Sequence, residues 1–192
     1  MPDRERVART IVLVEDKPQQ NLVRRYLQRC RGNAYSDRQI DWRPLPAGRG
    51  SGEQYVRLEY PKQTRSCRSS LGKRASCLLI VMTDADTRET RKRGEQLSQE
   101  LMAAEMEPRE TAEPIVVLIP KRHVETWIQA LLGKEVDEET DYTRAPHSSP
   151  STEQIKRAAN RAYDLTRPNT PLDAVRPPSL KASIPEWTKI PP

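Results

Sequence analysis

Three short runs of consecutive apolar residues divide the chain, at positions 11–14, 77–82 and 115–119. Each run is followed first by polar residues and then by apolar residues at helical spacing. Strands of a parallel sheet read as continuous apolar runs, because helices cover both faces of the sheet. The pattern therefore predicts three strand–helix units in an α/β fold with an open, mainly parallel sheet and helices on both faces.

The helices that follow these strands have recognisable limits. The first is predicted from a turn at Pro18 to a stop at Gly32, because proline suits a first helical turn and glycine suits the residue after a helix. The second is predicted over about residues 88–106, and the third carries apolar residues from Val124 onward and ends at Gly133.

Between the first two units the pattern is less regular. Residues 39–43 favour a strand, and a loop rich in proline and glycine follows them. Residues 53–60 fit an alternating strand and a short helix equally well, so both interpretations stay open.

The C-terminal third departs from the strand–helix pattern. Residues 152–165 predict a last helix, with Ser151 or Thr152 as its N-cap. Seven prolines between residues 168 and 192 predict an extended tail that wraps around the domain or stays mobile. The predicted organisation is an α/β domain over residues 8–133, a helical and loop extension over 134–167 and a proline-rich C-terminal extension over 168–192.

Composition narrows the chemistry. The 192 residues carry a formal net charge of +6, three cysteines and two histidines. The odd cysteine count, without a close C-x-x-C pair, argues against a disulfide framework and against a cysteine-rich zinc site. A metal ion would therefore be bound by carboxylates, which favours Mg²⁺ or Mn²⁺. No run approaches the roughly 20 apolar residues of a membrane helix, so we expect a cytoplasmic protein without a membrane partner.

Acidic residues stand where the three predicted strands end. They are Glu15 after the first strand, Asp84 and Asp86 after the second, and Glu125 in the first turn of the helix after the third. The carboxyl ends of parallel strands share one edge of the sheet, where ligands bind in folds of this kind. Carboxylates that converge there repel one another unless a divalent cation neutralises them. The sequence therefore predicts a site for Mg²⁺ or Mn²⁺.

Ordinary structural roles are also open to these residues. Asp86 and Glu89 have the D-x-x-E spacing of a helix start, so an N-cap would explain Asp86. Glu125 would complement the positive end of its own helix dipole. Asp84 directly follows an apolar strand and caps no predicted helix, so it is the least well explained by a structural role.

Basic residues without acidic neighbours occur in two runs, at residues 17–36 and 61–82. A solvated helix face explains a single run, whereas two runs that flank carboxylates fit a polyanion such as DNA or RNA. The candidate nucleic-acid-binding residues are Arg24, Arg25, Arg65, Arg68, Lys73 and Arg74. Lys121 is a candidate for neutralising the charge that develops on a reacting phosphate.

Two strand ends carry a resemblance to a known family. The segment IVLVE, which ends in Glu15, and the segment LLIVMTDAD, with Asp84 and Asp86, resemble the Toprim family. The resemblance spans about residues 11–132 and implies a Toprim-like fold in which these three carboxylates bind Mg²⁺ for phosphoryl transfer. The family usually has glycine after the first glutamate, where this chain has Asp16.

A later segment makes the resemblance more specific. The spacing of Pro120, Glu125 and Trp127 resembles that of small Toprim-like nucleases, including those encoded beside an ATPase in phage-defence loci. This resemblance implies that Glu125 completes the metal site. It also implies a nuclease with an ATPase partner subunit in an antiviral system.

The opening segment IVLVEDKPQQNLVRRYL is also similar to response-regulator receiver domains. That similarity implies that Asp84 accepts the phosphoryl group and that Lys121 is the lysine that receivers carry at the end of the last strand. The long separation between Glu15 and Asp84 and the second carboxylate at Asp86 fit a receiver less well. The alternatives to a metal-dependent nuclease are therefore a receiver-like or degenerate Toprim module that binds a partner, and a nonspecific nucleic-acid binder.

Overall fold

The core of the protein is a sheet of four parallel strands. The computed structural model describes residues 9–32, 36–43, 45, 50–72, 76–142, 149–172 and 175–191. The strands are β1 (Arg9–Val14), β2 (Ile40–Arg43), β3 (Cys77–Met82) and β4 (Ile115–Leu118). They lie in the order β2-β1-β3-β4, and all neighbouring strands run parallel. The predicted α/β fold with a parallel sheet is confirmed.

Helices cover both faces of this sheet, as predicted. They are α1 (Lys17–Arg31), α2 (Gly52–Gly72), α3 (Thr90–Ala103), α4 (Val124–Leu131), α5 (Thr152–Leu165) and α6 (Pro178–Trp187). The side chains of Ile11 and Leu13 face α2 and α3, whereas those of Val12 and Val14 face the other four helices. Among the described residues, no helix combines the length and the apolar character that crossing a membrane requires.

The segment that the sequence left open, residues 53–60, is helical. It forms the first part of α2, which extends over 21 residues. Val56, Tyr60 and Cys67 are buried along one side of this helix. Their spacing of four and seven residues is that of a helical stripe, and the stripe becomes recognisable only when the helix is followed beyond residue 60.

The C-terminal segment is not extended throughout, and this corrects the prediction. Residues 178–187 form α6, with Pro178 in its first turn, where proline is compatible with a helix. Leu180, Ile184 and Trp187 are buried in the cluster that also contains α1, α4 and α5. The tail therefore wraps the domain, and the helices α5 and α6 contribute to the same hydrophobic core as the sheet.

α6 also protects one edge of the sheet. Oε2 of Glu186 accepts a hydrogen bond from the backbone N–H of Val117 in β4, at 3.0 Å. The guanidinium of Arg109 donates to the same oxygen at 2.9 Å and to the carbonyl oxygen of Ile115 at 2.8 Å. An uncovered edge strand is a template for pairing with another chain, and these contacts occupy part of it.

The strand order places the carboxyl ends of β1 and β3 at the switch point of the sheet. The chain leaves β1 towards β2 on one side and leaves β3 towards β4 on the other. A crevice forms between two such diverging connections, and it is the usual ligand site of open α/β sheets. Glu15 follows β1 directly, and Asp84 lies just after β3, so both residues are at this crevice.

Candidate active site

Glu15 and Asp84 meet at the switch point. Oε1 of Glu15 accepts a hydrogen bond from the backbone N–H of Asp84 at 2.9 Å, and it also accepts one from the Thr83 hydroxyl. The β1–β3 pairing continues to Val14 and Met82, so the residues that follow each strand are held side by side. The contact brings the carboxylate of Glu15 to the backbone of Asp84 where β1 and β3 end.

The start of α2 is packed directly against Glu15. A Cβ atom at Gly52 would lie 2.7 Å from Cβ of Glu15 and 2.9 Å from its carbonyl oxygen. Real Cβ atoms do not approach other heavy atoms so closely without displacing them, so this position requires glycine. The first residue of α2 therefore packs directly against the backbone of Glu15, just after β1 ends.

Gln19 connects the two acidic residues. Its side chain is fully buried, its Nε2 donates to Oδ1 of Asp84 at 3.0 Å, and its Oε1 accepts from the backbone N–H of Glu15 at 3.0 Å. Asp16, which stands where Toprim proteins usually have glycine, is the N-cap of α1 and accepts from the backbone N–H of Gln19 at 2.9 Å. The first turn of α1 therefore positions the backbone of Glu15 and the carboxylate of Asp84.

Both acidic residues are in surroundings that oppose ionisation. Burial raises the pKa of Glu15 to about 8, and the negative charge of Asp84 acts in the same direction. Burial also raises the pKa of Asp84, which is 5% exposed, to about 7, while the nearby imidazole of His123 opposes this shift. Strongly raised pKa values of carboxylates in a crevice are typical of functional sites.

Glu125 lies at the same edge. It is in the first turn of α4 and is buried. Burial raises its pKa, and the charge of Asp16 adds to the rise. Glu125 in turn raises the pKa of Asp84. The helix dipole explains one part of its position, but a buried carboxylate near a second acid goes beyond what the dipole requires.

Asp86 is turned partly away from the pair. Its backbone is in the left-handed region, with φ of 55°, its side chain is 48% exposed, and Oδ2 lies 3.2 Å from a guanidinium nitrogen of Arg93. The N-cap of α3 is Glu89, so the helix-start interpretation of Asp86 is wrong. Its charge still contributes to the raised pKa of Glu15.

Lys121 lies between two carboxylates. Its ammonium is 2.9 Å from Oε1 of Glu89 and 3.3 Å from Oε1 of Glu139, and these partners raise its pKa. A receiver would need this lysine to reach the phosphorylated aspartate. Its engagement with Glu89 and Glu139 does not support that alternative.

Arg93 is a buried cation that the sequence analysis missed. It is 2% exposed, its Nε donates to the carbonyl oxygen of Asp84 at 2.9 Å, and its other nitrogens bind Glu53, Asp86 and Gln96. A signal was present in the sequence, because Arg93, Leu97 and Leu101 recur every fourth residue and therefore share the buried stripe of α3. Gln19 has the same signal on the buried stripe of α1.

His123 was also missed as a neighbour of Asp84. It is the N-cap residue of α4, and its Nδ1 lies 3.6 Å from Oδ2 of Asp84, while its Nε2 lies 3.5 Å from Oδ1 of Asp141. The contact with Asp84 raises the pKa of His123. A single histidine before a helix has no periodic pattern, so the sequence offered no signal for this role.

The predicted nucleic-acid-binding residues of α2 bind parts of the protein itself. Arg65 donates to the carbonyl oxygen of Ala104 at 2.9 Å, and Arg68 forms two bonds of 2.7 Å and 3.0 Å with the carboxylate of Glu113. Ser66 lies 3.0 Å from Arg9 at the first residue of β1. This half of α2 therefore lies near the amino ends of the strands, whereas the crevice is at their carboxyl ends.

The other basic candidates have different surroundings. Arg24 is 3.4 Å from Asp37 and stacks over the Trp42 ring at 4.8 Å. Arg25 donates to Oε1 of Gln28 at 2.9 Å, a neutral partner, and no carboxylate of the described residues lies within salt-bridge distance of it. Lys73 and Arg74 lie outside the described residues.

The donors at the crevice fit a hard cation held by few protein ligands. Among the described residues, no group of three or more His, Cys, Asp or Glu side chains is arranged to enclose a metal ion. Mg²⁺ is commonly bound through one or two carboxylates while it keeps several waters and contacts substrate phosphates. The buried pair of Glu15 and Asp84 provides such carboxylates, and Asp86 and Glu125 lie beside them.

Comparisons with known proteins add no assignment. No protein-family model matches the chain, and neither the curated proteins nor the solved structures contain a match. The function of the site must therefore be argued from its residues.

Proposed function

We propose that the protein is a Mg²⁺- or Mn²⁺-dependent phosphodiesterase that cleaves nucleic acid, a nuclease of the Toprim type. The observation that supports it is the contact between Glu15 and Asp84 at the switch point, with pKa values raised to about 8 and about 7. Ionised carboxylates in such surroundings destabilise the folded protein. A bound divalent cation would relieve the repulsion between these carboxylates. Cation binding therefore explains why two acidic residues lie side by side here.

Glu15 and Asp84 would hold the ion, with Asp86 and Glu125 at its margin. When bound, Mg²⁺ lowers the pKa of a water molecule and stabilises negative charge that develops on the phosphate. The protein itself supplies the orientation. The Thr83 hydroxyl and the Asp84 N–H direct Oε1 of Glu15, and Gln19 directs Oδ1 of Asp84. Side chains that are locked before substrate binds contribute more to catalysis than mobile ones.

Two positively charged residues lie near Glu15 and Asp84, one of them buried and the other closer to the surface. Arg93 binds the backbone oxygen of Asp84 and the carboxylate of Asp86, so it sets the path of the chain after β3. Lys121 is nearer the surface, next to Glu89 and Glu139. We assign Lys121 the neutralisation of a substrate phosphate, which would replace one of these two carboxylates as its partner.

The more specific parts of the proposal rest on the resemblance of the strand ends to Toprim sequences. They are the Toprim-like identity itself, a role in an antiviral system and an ATPase partner subunit. Net charge of +6 is consistent with a DNA or RNA substrate.

A nuclease assay with Mg²⁺ or Mn²⁺ on labelled DNA and RNA tests the proposal. The variant Asp84→Asn keeps the shape of the side chain and its ability to accept from Gln19, but removes the charge. We expect it to reduce cleavage by about 100-fold or more, since it removes half of the proposed ligand pair. The matched control is Glu107→Gln, an exposed carboxylate beyond α3, which should cleave like the wild type.

A binding measurement tests the same site without a known substrate. Because a ligand that binds only the folded state stabilises it, Mg²⁺ should raise the melting temperature of the wild type and of Glu107→Gln. The shift should be absent in Asp84→Asn. Undiminished cleavage by Asp84→Asn, or an equal Mg²⁺ shift in all three proteins, would contradict the proposal.

A further inference from the structure

Six basic side chains on α1, on α5 and just after α5 have no acidic partner among the described residues. They are Arg25, Arg29, Lys156, Arg157, Arg161 and Arg167, here called the α1–α5 surface. In the described part of the chain, none of them has a carboxylate within salt-bridge distance. Several cations outside this surface are paired with carboxylates, such as Arg68 with Glu113 and Arg57 with Glu53. Unpaired charges of one sign on one surface indicate a partner of the opposite sign.

A tyrosine holds two of these cations without neutralising them. The guanidinium of Arg29 lies over the Tyr163 ring at 5.0 Å, and that of Arg167 lies over it at 5.5 Å. Arg167 also donates to the Tyr163 hydroxyl at 2.9 Å. Stacking on an aromatic ring orients a guanidinium and leaves its charge and its remaining N–H donors available. Such donors match the oxygens of a phosphate.

The α1–α5 surface begins on the side of the crevice. Near the end of α5, Tyr163 contacts Tyr26 with ring centroids 6.1 Å apart, and Thr166 is 3.2 Å from the Tyr26 hydroxyl. Tyr26 is in the second half of α1. The two helices pack extensively against each other, and an antiparallel pair would bring the end of α5 to the start of α1. The observed contacts of Tyr163 with Tyr26 and Arg29 therefore show that α1 and α5 run in the same direction. α1 starts directly after Glu15, so α5 starts near that edge as well.

The size of this surface fits a nucleic-acid backbone. The 14 residues of α5 span roughly 21 Å, since an α-helix rises by about 1.5 Å per residue. A duplex advances about 3.4 Å per base pair, so this length matches roughly six base pairs. Glu153 and Asp164 are the acidic residues on α5, and the basic residues of the surface outnumber them.

We infer that the α1–α5 surface binds the phosphate backbone of double-stranded nucleic acid and carries it towards the crevice. This inference deepens the proposed function and rests on it for the reaction that follows binding. A duplex is favoured over a single strand, because two guanidinium groups already cover the ring of Tyr163, the aromatic side chain that the described residues place on this surface. Single-strand binding depends on aromatic rings on which bases stack.

The inference places the nucleic acid on the opposite face of the sheet from α2. Two double charge reversals compare these faces directly. R157E/R161E changes exposed residues of α5, and K62E/R65E makes the same charge change on α2. Binding is measured in EDTA, which prevents metal-dependent cleavage, by fluorescence anisotropy with a short labelled DNA duplex and with an RNA duplex of the same sequence. Vesicles that contain phosphatidylserine serve as a second polyanion.

We expect wild type to bind a duplex with an affinity that falls steeply with salt. R157E/R161E should bind about tenfold more weakly, with the slope of log K against log salt reduced by about two, because each lost phosphate contact removes about one released counterion. The duplex affinity of K62E/R65E should stay within about twofold of that of the wild type. Melting curves confirm that each variant is folded.

Three results would overturn the inference. They are equal effects of both double variants, failure of the wild type to bind either duplex at low salt, and preference for the vesicles over the duplexes. Cleavage with Mg²⁺ separates this inference from the proposed function. If the wild type cleaves nucleic acid while R157E/R161E binds duplexes as well as the wild type does, only the inference about the α1–α5 surface is wrong. If duplex binding depends on the α1–α5 surface but no cleavage occurs, the binding inference is supported and the nuclease proposal is wrong.

Discussion

The carboxylate of Glu15 accepts a hydrogen bond from the backbone N–H of Asp84 at 2.9 Å, across 69 residues of sequence. This bond joins the ends of the two central strands, β1 and β3, at the point where the chain turns to opposite sides of the sheet. The same two side chains are the proposed ligands of the metal ion. Stability and function are therefore linked at this pair, and substitutions there should affect both.

Replacing Glu15 with glutamine should stabilise the protein, and the gain should grow with pH. The pKa of Glu15 is raised from 4.5 to about 8 by burial and by the charge of Asp84. A raised carboxyl pKa means that ionisation opposes folding, so its cost is absent below the unfolded-state pKa and complete above the folded-state pKa. In EDTA, Glu15→Gln should gain about 1–3 kcal/mol at a pH above about 8 and little near pH 5.

Thermal or urea unfolding across this pH range measures the effect. Glu107→Gln, which removes an exposed carboxylate, serves as the control and should change little at any pH. A free-energy difference between Glu15→Gln and wild type that is the same at both ends of the pH range would show that the Glu15 carboxyl is not destabilised by ionisation.

A methyl group at Gly52 should disturb the site, whereas one at Gly94 should not. At Gly52 the added Cβ would meet the backbone oxygen of Glu15 at 2.9 Å and its Cβ at 2.7 Å. Overpacking of this kind costs about 1–3 kcal/mol. At Gly94, in the middle of α3, the nearest atom is Cδ1 of Ile119 at 3.8 Å, an ordinary contact.

The two alanine variants should therefore shift stability in opposite directions. Gly94→Ala should stabilise the protein by about 0.5–1 kcal/mol, since alanine favours a helix interior over glycine. Gly52→Ala should destabilise it and should also reduce the Mg²⁺-dependent rise of the melting temperature. A stabilising effect of Gly52→Ala would mean that α2 does not press on Glu15.

Replacing Arg93 with methionine should be strongly destabilising. The guanidinium is 2% exposed and binds the carboxylates of Glu53 and Asp86 and the backbone oxygen of Asp84. Removing one partner of a buried ionic network leaves the other groups uncompensated, at a cost of about 3–5 kcal/mol. Arg91→Met, at an exposed position in the same helix, should cost less than about 0.5 kcal/mol. Similar melting curves for both variants would contradict this role of Arg93.

Much of the architecture followed from local patterns. The limits of β1, β3 and α5 are close to those predicted, because continuous apolar runs and a capped amphipathic stripe identify these elements without tertiary information. The meeting of Glu15 and Asp84 followed from a rule of parallel sheets, in which all carboxyl ends share one edge. Proline content misled the prediction for α6, because Pro178 falls in a first turn and burial of Trp187 stabilises the helix.

By itself, the sequence determined the parallel α/β class, the strands and the residues that could carry charge at their ends, since each depends on neighbouring positions in the chain. Only the tertiary structure decided how those charges are used. It paired Arg68 with Glu113, buried Arg93 and placed His123 near Asp84, and it left Arg157 and Arg161 without an acidic partner among the described residues. Whether a cation is compensated depends on which distant segments pack beside it, and no local pattern along the chain contains that information.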